Sequence, residues 1–167
     1  MIRAGYERLH DSLRAQLLER VKQASPEFFE NLVIELLVAM GYGGSRDDAA
    51  RVVGRTGDEG IDGIIKEDRL GLENIYVQAK RWENTVGRPT IQQFAGALQG
   101  QRARKGVLLT TSNFSRDAIE YANSLQVSIV LVDGLKLADL MIEFGTGVTE
   151  FETVRLKRLD EDYFIDE

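Results

Sequence analysis

The sequence predicts one α/β domain with a mixed central sheet and helices on both faces of that sheet. A chain of 167 residues with 43% hydrophobic positions suits a single core. Short apolar segments alternate with amphipathic helices in the second half, which is typical of parallel strands joined by crossover helices. In the middle, two short segments rich in branched and aromatic residues lie between glycines and acidic turn residues. This pattern favours an antiparallel pair, so the sheet is predicted to be mixed.

The first 40 residues predict two helices. Leucines at helical spacing, with charges between them, indicate an amphipathic helix over Tyr6 to Val21. A second helix begins at Ser25-Pro26-Glu27, where Ser25 is the cap and Pro26 lies in the first turn. Glycines at positions 41, 43 and 44 end it after Met40. We expect residues 1–24 to lead into the domain, residues 25–160 to form it, and residues 161–167 to be an acidic tail.

The remaining elements follow the same two periodicities. Alternating or continuous apolar segments predict strands, and stripes at three- and four-residue spacing predict helices. In chain order we expect strands at 61–66 and 75–81, a helix after Pro89, a strand at 106–111, a helix capped by Ser115, a strand at 127–132 and a helix at 133–144. Residues 150–159 alternate weakly, and we interpret them as an edge strand.

The composition excludes several kinds of chemistry. The chain has no cysteine and one histidine, so disulfides, thiolate zinc sites, cysteine nucleophiles and histidine pairs are absent. Carboxylates, amides, lysine and a bound oxygen-preferring metal remain. No apolar stretch approaches the roughly 20 residues of a membrane helix, and the first residues do not lead into a signal-peptide core. We therefore expect a cytoplasmic protein with no membrane partner.

The charge distribution favours a polyanionic partner, although the net charge is −6. Positions 78–116 hold seven basic residues and one acidic residue, a local balance of +6. Positions 150–167 have a balance of −4. Because the Debye length in a cell is about 8 Å, an acidic tail cancels little of the field of a distant basic segment.

Two segments hold the candidate catalytic residues, GDEGIDG at 57–63 and YVQAKR at 76–81. Alternation along a strand places the side chains of Gln78 and Lys80 on one face. If the strand that follows Asp62 is its neighbour, a carboxylate, an amide and an ammonium meet. Asp62, the Gln78 side chain and the Ala79 carbonyl are oxygen ligands of the kind that Mg²⁺ prefers, and Lys80 would orient water or neutralise charge on a phosphodiester.

Other interpretations of these segments stay open. An acid and a lysine on adjacent strands also fit a cross-strand ion pair. A lysine buried without a partner would cost several kcal/mol, so the face of Lys80 must open into a cleft or meet acids. The glycines at 57, 60 and 63 fit either a cleft or ordinary turns. A nucleotide phosphate loop over Gly54 to Gly63 lacks the Gly-Lys-Ser/Thr ending that would make it specific.

Six strings, in this order, carry a resemblance to a known family: FENLV (29–33), MGYG (40–43), GDEGIDG (57–63), VQAKRW (77–82), FAGAL (94–98) and LTTSNFS (109–115). Together they resemble the catalytic domain of Mrr-type restriction endonucleases, within the PD-(D/E)xK nuclease superfamily. The resemblance covers about residues 10 to 160. It implies a restriction-endonuclease-like α/β fold, with a mixed sheet flanked by helices on both faces.

The resemblance also implies a function and a site. It implies a Mg²⁺-dependent DNA endonuclease, with Mn²⁺ as a substitute, that restricts foreign or modified double-stranded DNA in the manner of type IV systems. Asp62, Gln78 and Lys80 match the acid...QxK variant of the motif, and the helical glutamate of the family falls on Glu30. Cutting both strands would favour a homodimer or higher homo-oligomer. The alternative is a catalytically silent module that binds DNA or supports assembly. Members that restrict modified DNA carry a further DNA-reading domain, so we expect target recognition to lie outside these residues.

Helix geometry tests the glutamate. At 100° per residue, Glu30 lies at one rim of the apolar face of its helix, and Glu35 lies at the opposite rim, so geometry alone does not choose. Asp58 is either a second acid or a loop carboxylate that caps turn amides, and we favour the cap.

The remaining candidates concern contacts with DNA. We expect contacts from Arg81, Gln93, Arg102, Arg104 and Lys105, against the alternatives of an exposed helix surface for the glutamine and a solvated loop for the last three. Trp82 would stack on a base or cap the core, and we favour core packing. For Thr110, Thr111 and Ser112, we expect hydroxyl contacts to the backbone.

Overall fold

The structure, a computed structural model, describes residues 1–44 and 60–165. Within these ranges the helices are α1 (Ile2–Gln23), α2 (Pro26–Ala39), α3 (Arg88–Gly100), α4 (Arg116–Ser124) and α5 (Gly134–Phe144), with a short 3₁₀ helix at Glu161–Phe164. The strands are β1 (Gly63–Lys66), β2 (Asn74–Lys80), β3 (Lys105–Thr110) and β4 (Ser128–Val132). Every helix in the described part of the chain is too short or too polar to cross a bilayer.

The strands form one mixed sheet in the order β1-β2-β3-β4. β1 is antiparallel to β2, and both β2 with β3 and β3 with β4 are parallel. The predicted antiparallel pair and the predicted crossovers through helices are therefore confirmed. The register places Lys80 beside Thr110, where both strands end.

Helices cover both faces of the sheet, as predicted. One core lies under α1, α2 and α5 and includes Phe29, Leu36, Val77 and Leu137. The other lies under α3 and α4 and includes residues such as Phe94. Five consecutive positions along β3, from Gly106 to Thr110, are buried because the strand has helices above and below it.

The predicted helix caps are present. The Ser25 side chain accepts a hydrogen bond from the Phe28 amide, and the Ser115 side chain accepts one from the Ala118 amide. α2 ends at Ala39, before Gly41 at φ 104°. These bonds satisfy amide groups that the first turn of a helix leaves without partners.

α1 is part of the packed domain. Its residues Leu17 and Val21 are buried in the first core, and the guanidinium of Arg14 lies 3.4 Å from the Asp139 carboxylate on α5. The first helix therefore packs on the helices that support the sheet and is more than a lead-in segment.

The prediction of an edge strand at 150–159 is wrong. These residues form no strand, and all of them are exposed. Their large apolar side chains, Phe151, Val154, Leu156 and Leu159, are spaced by three, two and three positions. A strand with one buried face needs a strict period of two, so this segment has no face to place on the sheet.

Candidate active site

Asp62 is held at the start of β1 by the backbone of β2. Its amide donates a hydrogen bond to the Val77 carbonyl at 2.8 Å, and its Oδ2 accepts one from the Ala79 amide at 2.6 Å. β1 begins at Gly63, opposite Val77, so the Asp62 carboxylate, just before the start of β1, accepts the bond from the Ala79 amide that a longer β1 would accept with its backbone. A short bond from an amide to a carboxylate is strong. The Asp62 carboxylate is therefore fixed beside the last residues of β2.

Gln78 is buried in the middle of this arrangement. The side chain is 1% exposed, and its Oε1 has no hydrogen bond partner among the described residues. A Cβ added at Gly60 would lie 2.7 Å from the Gln78 Nε2, so the backbone at Gly60 closely approaches the amide. An unpaired buried acceptor costs about 1–3 kcal/mol, and such an atom in a native protein calls for an explanation such as an ion.

Lys80 lies at the end of β2, half-buried, and contacts an aromatic ring. Its Nζ is 5.1 Å from the centroid of the Trp82 ring, within the range of a cation–π interaction. No carboxylate of residues 1–44 or 60–165 forms an ion pair with this ammonium. The cross-strand ion pair with Asp62, left open by the sequence, is therefore not observed.

Glu30 joins the same group from α2. Burial raises the pKa of its carboxyl above 4.5, the negative charges of Asp62 and Glu27 raise it further, and the positive charge of Lys80 opposes them. These interactions place Glu30 electrostatically close to both Asp62 and Lys80. Glu35, at the opposite rim of the helix, is exposed. The structure thus brings Glu30 to the candidate site and leaves Glu35 away from it.

The loops after β2 and β3 are joined to each other. The hydroxyl of Thr110 donates to the Lys80 carbonyl at 2.8 Å, that of Thr111 to the Trp82 carbonyl at 2.9 Å, and that of Ser112 to a carbonyl of the same loop at 3.1 Å. The predicted hydroxyl-to-backbone contacts are confirmed. Sequence reasoning missed their purpose, which is to anchor the loop that follows Lys80.

This loop borders a cleft and includes the tryptophan. Residues 81–85 line a cleft of about 530 Å³. Trp82 is 41% exposed there, so the prediction that it packs in the core is wrong. Trp82 comes two residues after the end of β2, beyond the part of the sheet that helices cover. This position, more than its residue type, explains why the side chain is exposed. Arg81, at the same cleft, donates from Nη1 to the Lys22 carbonyl at 3.0 Å, and its Nε has no partner among the described residues.

The other predicted DNA contacts are not brought to this cleft. Gln93 is exposed on α3, and Arg102 and Arg104 are exposed before β3. Lys105 starts β3, so about 16 Å of strand separates it from Thr110, beside Lys80, at the usual rise per residue.

Lys105 also has partners of its own. Its Nζ lies 2.5 Å from Glu67 and 2.6 Å from Glu73, and the hydrogen bonds to these carboxylates raise the pKa of the ammonium. Two acids therefore compete with any phosphate for this lysine. The surroundings of Lys105 do not support its prediction as a DNA contact.

The described residues offer a metal a mixed set of oxygen atoms rather than a cluster of acids. No group of three or more His, Cys, Asp or Glu side chains that would hold a metal lies within the described ranges. Gly57, Asp58 and most of the glycine-rich segment that begins at Gly54 lie outside those ranges. Mg²⁺ is usually held by one or two carboxylates together with water and substrate phosphates. The fixed Asp62 carboxylate matches that coordination, and the Gln78 Oε1, which has no partner among the described residues, could add a neutral oxygen.

Comparison with known families settles the family of this domain. A family model described as a restriction endonuclease, the Mrr catalytic domain, matches residues 21–141. The chain belongs to the Mrr-type restriction endonuclease catalytic domains. It is 52% identical over 156 residues to the type IV methyl-directed restriction enzyme EcoKMrr of Escherichia coli (strain K12), a match that covers 93% of this chain and 50% of that protein. The chain therefore spans about half the length of this curated relative.

Solved structures confirm the fold of the Mrr-type domain. The restriction endonuclease MspJI, in complex with a 27-mer oligonucleotide, is similar with a TM-score of 0.59 at 24% identity, over 81% of this chain and 32% of that one. The DNA modification-dependent restriction endonuclease AspBHI is similar with a TM-score of 0.56 at 17% identity, over 80% and 36%. Restriction endonucleases generally use divalent metal ions, and the side-chain oxygens of Asp62 and Gln78 are of the type that such ions prefer.

Proposed function

We propose that this chain is the catalytic domain of a Mg²⁺-dependent DNA endonuclease that acts in the restriction of modified DNA. The observation that carries the proposal is the buried Gln78 Oε1, which has no partner in the described part of the chain. Gln78 precedes Ala79 on β2, and the Ala79 amide holds the Asp62 carboxylate. Folding alone gives no reason to leave this oxygen unpaired. A cation bound by both side chains would supply the missing partner.

Three groups would hold the cation: the Asp62 carboxylate, the Gln78 side-chain oxygen and the Ala79 carbonyl. The amide and carbonyl of one strand residue point to the same neighbouring strand. Because the Ala79 amide points to Asp62, its carbonyl is directed to the same side. When bound, the cation would polarise the phosphoryl group and lower the pKa of a coordinated water.

Lys80 and Glu30 would act on the substrate side of these ligands. The Lys80 ammonium is not neutralised by a described carboxylate, so it is available to a phosphate oxygen that gains negative charge in the transition state. Glu30 holds its proton to a higher pH than an ordinary glutamate, which suits a group that exchanges a proton with solvent near the reacting phosphate. Arg81, at the cleft, would contact a flanking phosphate.

The partners follow from the same chemistry. The similarity to a methyl-directed enzyme of Escherichia coli supports modified double-stranded DNA as the substrate, with the modification read by residues outside this chain. One site cuts one strand, so we propose that two copies act together on a duplex. The proposal places the protein in the cytoplasm, where its DNA substrate is found.

Cleavage of methylated and unmethylated supercoiled plasmid tests the function. We expect nicked and linear products with Mg²⁺ or Mn²⁺ and none with EDTA. Asp62→Asn and Lys80→Met should each lose at least about 100-fold in rate, the size of effect seen when one transition-state contact is removed. Lys157→Met, in the exposed tail, is the matched lysine control and should cut like the wild type.

Calorimetric titration with Mg²⁺ and a DNA-binding assay separate the proposal from the alternative of a silent module. If the chain is the proposed nuclease, it binds the cation through Asp62 and Gln78, so Asp62→Asn should abolish the heat of Mg²⁺ binding. If the wild type binds DNA but neither takes up the cation nor cuts, the proposal is wrong and a DNA-binding scaffold remains.

A further inference from the structure

The tryptophan beside the candidate site contacts the lysine rather than the core. Trp82 is the one tryptophan of the chain, its side chain is 41% exposed, and its ring lies 5.1 Å from the Lys80 Nζ. The ammonium near the ring gives this exposed aromatic side chain a specific contact within cation–π distance.

An aromatic partner and a carboxylate partner differ in their effect on the charge of a lysine. The ring attracts the ammonium but carries no net charge, so the positive charge stays available to an incoming anion. The same protein contains the opposite case. Lys105 is held at 2.5 Å and 2.6 Å by two glutamates, which neutralise it and would compete with a phosphate. Of these two arrangements, the aromatic one restrains the lysine without an ion pair to any carboxylate of the described residues.

The position of the ring is itself fixed by the fold. The Trp82 amide donates to the Lys80 carbonyl at 3.0 Å, and the Thr111 hydroxyl donates to the Trp82 carbonyl at 2.9 Å. The Lys80 carbonyl also accepts from the Thr110 hydroxyl at 2.8 Å. Both the lysine and the tryptophan are thus anchored at the backbone to the end of β3. Their contact is built into the sheet.

We propose that Trp82 is a positioning residue for Lys80, which restrains the ammonium at the cleft so that it meets a DNA phosphate at the metal site. The inference rests on the proposed nuclease function. It differs from a role in stacking on a base, because a positioning residue changes the rate of the chemical step, whereas a stacking residue changes the affinity for DNA.

Nuclear magnetic resonance tests the contact without any need for activity. In the wild-type chain, the ε-methylene protons of Lys80 should resonate upfield of the other lysines because of the ring current. Trp82→Leu should return them to the ordinary lysine position, and the assignment is checked by their disappearance in Lys80→Met. If these protons already resonate at the ordinary position in the wild type, the contact is absent in solution and the inference fails, whether or not the protein cuts DNA.

Steady-state cleavage kinetics then test the role. Trp82→Leu keeps an apolar side chain but removes the aromatic face, and Trp82→Phe keeps an aromatic face. We expect kcat to fall about three- to tenfold in Trp82→Leu with KM for DNA unchanged, and to be largely restored in Trp82→Phe. A rise in KM with an unchanged kcat would overturn the inference in favour of base stacking. An upfield lysine signal in a wild type that never cuts DNA would refute the proposed function and leave the contact itself demonstrated.

Discussion

Replacing Gln78 by methionine should make the metal-free protein more stable. The side chains have similar length, and the change removes a buried oxygen that has no described partner. Leaving that acceptor unpaired costs about 1–3 kcal/mol. A volume-conserving substitution in a packed site costs less than about 1.5 kcal/mol. The two effects leave a net increase of about 1 kcal/mol in the free energy of unfolding.

Urea unfolding in EDTA and in Mg²⁺ measures the stability of the metal-free protein and the stability gained from the cation. In EDTA, Gln78→Met should exceed the wild type by about 1 kcal/mol. With Mg²⁺ at ten times its dissociation constant, the wild type should gain about 1.4 kcal/mol and the variant nothing, so the order of stabilities levels or reverses. Gln93→Met, an exposed glutamine on α3, is the matched control and should stay within about 0.5 kcal/mol of the wild type in both conditions.

A loss of stability in EDTA would refute the reasoning. If Gln78→Met is less stable than the wild type by more than about 1.5 kcal/mol, the loss exceeds the cost of repacking, and the amide must make a bond in solution that stabilises the fold. An equal gain from Mg²⁺ in wild type and variant would show that Gln78 is not a ligand.

Two further substitutions probe the neighbours of Gln78. Burial and the Asp62 charge raise the pKa of Glu30, so the folded state keeps this proton to higher pH than the unfolded state, and wild-type stability falls as pH rises through the window above 4.5. Urea unfolding should therefore show Glu30→Gln to be the more stable protein at pH 7, with the difference gone at pH 4, and a constant difference would contradict the pKa shift. Gly60→Ala and Gly41→Ala both place alanine at positive φ, 93° and 104°, and each should lose about 1–2 kcal/mol of stability. Only the alanine at position 60 would contact Gln78, so only Gly60→Ala should also lose Mg²⁺ binding in calorimetry. Loss of binding in both variants, or in neither, would separate Gly60 from the site.

Most of the fold follows from local patterns that the sequence states directly. The α2 stripe, the capping serines and the apolar β3 all specify local structure, and packing agrees with it. The segment at 150–159 failed because its spacing gives no single apolar face, and an extended chain becomes a strand only against an available edge. The prediction that Trp82 packs in the core was wrong because it rested on residue type, whereas the position of Trp82 after the end of β2 leaves it exposed.

The site was predictable to the extent that it depends on alternation along one strand. Period two alone places Gln78 and Lys80 together on β2. The count of charges between 78 and 116 did not reveal the two acids beside Lys105, because sequence distance does not show which end of a strand a residue occupies. Its two glutamate partners lie near the turn between β1 and β2, and only the antiparallel register brings them to the start of β3.

The lysines at the two ends of the β2–β3 pair have opposite kinds of partner. At one end, Lys105 is paired with two acids, as expected where folding stability alone decides. At the other end, Lys80 has a neutral ring for a partner, Gln78 has an unpaired oxygen, and Glu30 has a raised pKa. Among the described residues, the Gln78 oxygen has no hydrogen bond partner and Lys80 forms no ion pair, while Glu30 feels the charges of both Asp62 and Lys80, so the three side chains belong to one region. Departures from good pairing that collect at one end of a sheet indicate a site shaped for an absent ligand, so substitutions that stabilise this end should do so at the expense of function.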